Sequence, residues 1–163
     1  MICDVKDIPI FYEEYGEGVA MLCIHGYGVD RRLMTGCLEP LFARKTGYRR
    51  IYPDLPGMGK TPARDWLKNA DQMLEIVIEF IEKTIGDEDF IIAGESYGGY
   101  LTLGLLHKMP AKIRGALFIA PSSRRITVSA LCRKMWRPPC HPKPMMRINA
   151  TSIRALKRPM RTL

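Results

Sequence analysis

Short, unbroken apolar runs alternate along this chain with longer stretches in which apolar residues recur every three or four positions. Residues 8–15 are rich in β-favouring side chains and end at the turn Gly16-Glu17-Gly18. The run Val19 to Ile24 contains no polar residue, the pattern of a strand buried on both faces of a parallel sheet. It stops at His25-Gly26-Tyr27-Gly28. From Arg31 to Lys45, Leu33, Met34, Leu38, Leu41 and Phe42 fall at helical intervals, and Gly47 breaks the pattern. Residues 48–53 predict a short strand, followed by the loop Asp54-Leu55-Pro56-Gly57-Met58-Gly59. Met73, Leu74, Val77, Ile78 and Ile81 lie on one face of a second helix, with Asn69 or Asp71 as its cap and Gly86 at its end. Residues 90–93 predict another buried strand, running directly into Gly94-Glu95-Ser96-Tyr97-Gly98-Gly99. A helix over 100–108 ends before Pro110, and residues 115–120 give the last clear strand, stopped by Pro121.

Alternation of short buried strands with helices predicts an α/β fold with a doubly wound, mostly parallel sheet. After Pro121 the character of the sequence changes. Residues 122–163 hold 11 of the chain's 25 Lys and Arg, five of its prolines and none of its 17 acidic residues. The net charge of +8 therefore describes neither part, because the body is mildly acidic and the tail strongly basic. We read one domain over 1–121 and a basic, Pro/Arg-rich, poorly structured tail over 122–163.

The candidate chemistry centres on Gly94-x-Ser96-x-Gly98, which fits the nucleophile elbow G-x-S-x-G. That motif demands a serine on a sharp strand-to-helix turn, in a strained backbone conformation and with its hydroxyl out of the sheet. Glycines two residues to either side remove the Cβ atoms that would clash where strand and helix pack closely. The required buried strand precedes this motif and the required helix follows it. A serine nucleophile needs a base, and the developing oxyanion needs hydrogen-bond donors. The backbone N–H of Tyr97 is one candidate donor. The backbone N–H of Tyr27, in the glycine loop after an earlier strand, is the other.

Three segments together resemble the α/β-hydrolase superfamily in its serine-nucleophile branch: His25-Gly26-Tyr27-Gly28, Asp54-Leu55-Pro56-Gly57-Met58-Gly59, and the elbow at Ser96. The resemblance covers roughly residues 5–121. It implies an α/β-hydrolase fold truncated after about the sixth strand of eight, and hydrolysis of an ester, thioester or amide in a small-molecule acyl substrate. It also implies a structural, non-catalytic role for Asp54. In this family the triad runs Ser, then Asp or Glu, then His, yet no Asp or Glu follows Glu95. Of the three histidines, His25 precedes the oxyanion glycine, His107 lies near the end of the helix after the elbow, and His141 falls in the tail. None is assigned as the base, so the chain alone is expected to be inactive or nearly so.

Two readings of residues 122–163 stay open. One is a truncated or frame-shifted product replacing the family's later strands, acid and His. The other is a basic arm on a non-catalytic protein that recruits an anionic partner. Nucleic acid and membrane are not the expected partners. The strand 115–120 would be an exposed edge, giving dimerisation or aggregation. Cys3, Cys23, Cys37, Cys132 and Cys140 form no C-x-x-C pair or zinc spacing, so neither a disulfide framework nor a metal or other cofactor is expected. The N-terminus has early acidic residues and no apolar core of a signal peptide, and a cytoplasmic setting is expected.

Overall fold

The computed structural model describes residues 1–120, so the tail, its boundary, Cys132, Cys140 and His141 lie outside the described residues. The strands are β1 (Ile2–Val5), β2 (Ile8–Tyr15), β3 (Val19–Ile24), β4 (Tyr48–Pro53), β5 (Phe90–Glu95) and β6 (Ile113–Ile119). The helices are α1 (Arg31–Phe42), α2 (Ala70–Thr84) and α3 (Tyr97–Lys108). Six strands form one sheet in the order β1-β2-β4-β3-β5-β6. β2 pairs antiparallel with both β1 and β4, and the other neighbours are parallel.

The central strand shows why the sheet is wound on both faces. Side chains alternate along a strand. Accordingly Ala20, Leu22 and Ile24 of β3 join one core with residues of α2 and α3, including Ile76, Val77, Phe80, Leu101 and Leu105. Met21 and Cys23 face the other way, into a smaller core with Met34 and Leu38 of α1, Tyr52 and Ala93. An apolar residue at every position of β3 is therefore what its central place requires.

Several element boundaries differ from the expectation. β1 escapes the sequence pattern because only Val5 of its four residues is buried, so no apolar run marks it. α3 begins at Tyr97 rather than Tyr100, since helix starts immediately after the serine. β6 begins at Ile113, and its pairing with β5 shifts register between Phe90 and Ile91. α1 ends at Phe42, short of the expected Lys45, with Pro40 inside its last turn, where proline supplies no backbone N–H to the helix. Of the two candidate caps for α2, Asn69 is the one that caps, accepting a hydrogen bond from the Gln72 N–H at 2.9 Å. Among the described residues no helix is long and apolar enough to cross a membrane.

Candidate active site

β5 ends at Glu95 and α3 begins at Tyr97, so a single residue, Ser96, turns the chain from strand to helix. Its backbone lies at φ 48° and ψ −107°, a left-handed conformation that costs an L-residue about 1–3 kcal/mol. Surrounding bonds hold it there. The Ser96 N–H donates to the Ile119 carbonyl at 3.0 Å, and the Ser96 carbonyl accepts from the Tyr100 N–H at 3.1 Å. Both flanking glycines are sterically required. A Cβ on Gly94 would press on Thr102 Oγ1 and on the Gly98 carbonyl, and one on Gly98 would press on the carbonyls of Ile24 and His25. Strand β3 and the first turn of α3 are thus in backbone contact, which fixes where residue 96 sits relative to the loop after β3.

That loop approaches the serine from the other side. A Cβ on Gly26 would lie 3.2 Å from Ser96 Cβ and 3.3 Å from the Glu95 carboxyl carbon. Gly26, Glu95 and Ser96 therefore meet at one point, where an added Cβ would displace the Glu95 carboxylate and crowd Ser96. The next residue, Tyr27, is 79% exposed. Its ring stands edge-on to Tyr97, with centroids 6.1 Å apart, and Tyr97 stacks on Tyr100 at the same separation. Burial, with Tyr100 and Tyr27 nearby, pushes the Tyr97 phenol above its ordinary pKa, so it stays neutral.

His25 is fully buried. Its Nε2 accepts a hydrogen bond from the Leu55 N–H at 2.9 Å, which places the ring proton on Nδ1, 2.7 Å from the Gly26 carbonyl. Burial lowers its pKa and keeps it neutral. With both nitrogens committed, His25 ties the loop after β3 to the loop after β4 and has no nitrogen left to act as a base. Asp54 is likewise structural. It is fully buried, accepting from the Arg31 N–H at 2.8 Å, Arg31 Nη1 at 3.0 Å and the Lys60 N–H at 2.9 Å. A Cβ on Gly59 would collide with its carboxylate, which explains the last glycine of the D-x-x-G-x-G loop. Arg31 extends the network to Glu13 at 2.6 Å and lies over the Phe11 ring at 4.5 Å.

The fold therefore brings Ser96, Tyr97 and Tyr27 together. It keeps His107 apart: that residue is exposed in the last turn of α3, about 16 Å of helix rise from Ser96. Two features were not legible as site features. The Arg31–Asp54–Glu13 network joins residues far apart in sequence. Glu95 was marked only by its place immediately before the serine, and the structure sets its carboxyl group against Gly26 in the loop after β3.

The Alpha/beta hydrolase family matches residues 21–162, and the chain belongs to that family. It is 30% identical over 118 residues to a pimeloyl-acyl-carrier-protein methyl ester esterase of Legionella pneumophila, covering 72% of this chain and 44% of that protein. A namesake from Shewanella woodyi is 31% identical over 110 residues, covering 68% and 39%. Among solved structures, an alpha/beta superfamily hydrolase from Oenococcus oeni superposes with a TM-score of 0.65 at 35% identity, covering 72% of this chain and 45% of that one. The chain thus spans less than half the length of the curated relatives it matches.

Proposed function

We propose that this chain carries the nucleophile and oxyanion-binding part of a serine hydrolase acting on acyl esters, with thioesters and amides as related substrates. Ser96 Oγ attacks the acyl carbonyl, and the backbone N–H groups of Tyr97 and Tyr27 receive the oxygen that becomes negative. The single observation that carries this reading is the backbone of Ser96. A strained, positive φ at a serine, wedged between two glycines that admit no Cβ, is the backbone that a nucleophile elbow demands. Ester chemistry fits relatives named as methyl ester esterases. The position of Tyr97 at the first turn of α3 adds the favourable end of the helix dipole to a developing oxyanion.

No Asp or Glu follows Glu95, so the family's Ser–acid–His order is not completed in these residues. The proposed activity of this chain alone is correspondingly low, sustained by the oxyanion donors. The proposed setting is a reducing compartment such as the cytoplasm. A fluorophosphonate probe tests the assignment. Slow labelling confined to Ser96 and abolished by Ser96→Ala is expected. Labelling spread over other serines, or unaffected by that substitution, would refute it.

A further inference from the structure

Glu95 sets a problem that the ester reading does not solve. Its carboxyl group lies against Gly26, at the same point that Ser96 Cβ approaches, and so at the edge of the region where negative charge would develop. No hydrogen bond or ion pair to its side chain is formed among the described residues, and it is partly buried. The cations of the neighbouring loops are engaged elsewhere. Arg31 is bound to Asp54 and Glu13, Lys60 lies over the Phe11 ring, and His25 is held neutral by burial. A lone carboxylate here opposes oxyanion formation. The opposition vanishes when the substrate itself supplies a positive charge.

The surroundings suit such a charge. Tyr27, Tyr97 and Tyr100 form a continuous aromatic surface adjoining Ser96, and Tyr27 and Tyr100 are 79% and 49% exposed. Aromatic rings attract ammonium groups through their quadrupoles, and a nearby carboxylate adds a direct Coulomb attraction. We infer that Glu95 and the rings of Tyr27, Tyr97 and Tyr100 form a subsite for a cationic group, so that the site selects acyl substrates bearing an ammonium close to the scissile carbonyl. This inference rests on Ser96 as nucleophile. Glu95 acts by binding and by cancelling charge and takes no part in bond making. The same carboxylate repels anionic acyl groups, so selectivity has an attractive and a repulsive half.

The test uses the full chain and two phosphonofluoridate probes of matched shape, one ending in trimethylammonium and the other in the neutral tert-butyl isostere. In each case Ser96 Oγ bonds to phosphorus, the P–F bond breaks, and fluoride and the serine proton pass to the buffer. Labelling of Ser96 is followed by mass spectrometry. The cationic probe is expected to react about tenfold faster. The ratio should fall towards one in Glu95→Gln, fall part of the way in Tyr27→Leu, and shrink at high salt. Equal rates for the two probes in the unaltered chain would overturn the inference, as would a ratio left intact by the substitutions. Tyr27 is exposed, so its variant decides the matter should Glu95→Gln fail to fold. If neither probe labels Ser96 above the Ser96→Ala background, the nucleophile reading fails by itself. The subsite is then decided by calorimetry with choline and neutral 3,3-dimethylbutanol. Choline binding weakened by Glu95→Gln sustains the subsite, and no preference for choline removes it.

Discussion

Replacing Gly98 with alanine perturbs the elbow at its tightest point. The new methyl would lie 2.7 Å from the Ile24 carbonyl carbon and 2.8 Å from the His25 oxygen, with the Ile24 oxygen closer still. Ordinary C···O contacts sit near about 3.3–3.6 Å, and all three obstacles are backbone, so no side chain can swing away. The first turn of α3 must lift from the end of β3. Overpacking in a well-packed core costs about 1–3 kcal/mol, and a backbone obstacle belongs at the upper end. Alanine returns up to about 1 kcal/mol through helix propensity, leaving a net loss of about 2 kcal/mol or more. With a urea dependence of about 1–3 kcal/mol per molar, the unfolding midpoint should fall by about 1 M. Gly36→Ala is the control. Gly36 lies within α1, and its new methyl would meet nothing within 4 Å, so this variant should gain about 0.5–1 kcal/mol. Equal midpoints for Gly98→Ala and the unaltered chain would show that Gly98 does not set the elbow.

Other consequences can be checked by similar means. Asp54→Asn leaves the buried Arg31 guanidinium with Glu13 as its remaining carboxylate and weakens three charge-assisted hydrogen bonds, and urea unfolding should show a loss of about 1–3 kcal/mol; a change under about 0.5 kcal/mol would deny the network its structural role. The folded-state pKa of His25 lies below its unfolded value, so the unfolded chain binds the proton more readily, and stability present above pH 6.5 should be lost as pH falls through and below about 6.5. His25→Gln, which keeps an acceptor for the Leu55 N–H, should flatten urea midpoints measured between pH 5.5 and 7.5; an unaltered slope would assign it to other groups. Among the described residues β6 pairs with β5 alone, and we propose self-association through its other edge. Sedimentation should show concentration-dependent dimers weakened by Ala116→Pro, and a concentration-independent monomer would contradict this.

Much of the fold was legible because burial leaves a simple trace. β3 carries no polar residue since both faces of the sheet are covered, and α2 shows its stripe because only one face is. β1 left no such trace, for three of its four residues are not buried and it carries Asp4. The elbow was legible for a different reason: its glycines and serine fall at a fixed spacing within five residues, although the backbone that a Cβ on Gly98 would meet belongs to Ile24 and His25. The likeness of Gly26 to an ordinary turn glycine hid its contact with Glu95, which spans some 70 residues of sequence. The expectation of a structural His25 came from its position alone, while the hydrogen bond to its Nε2 depends on Leu55 in the loop after β4.

The most direct measurement is a crystal structure of the phosphonylated chain. Phosphorus should be bonded to Ser96 Oγ, with the phosphoryl oxygen about 2.7–3.1 Å from the backbone nitrogens of both Tyr27 and Tyr97. An adduct on a different serine, or a phosphoryl oxygen facing away from those two amides, would contradict the account.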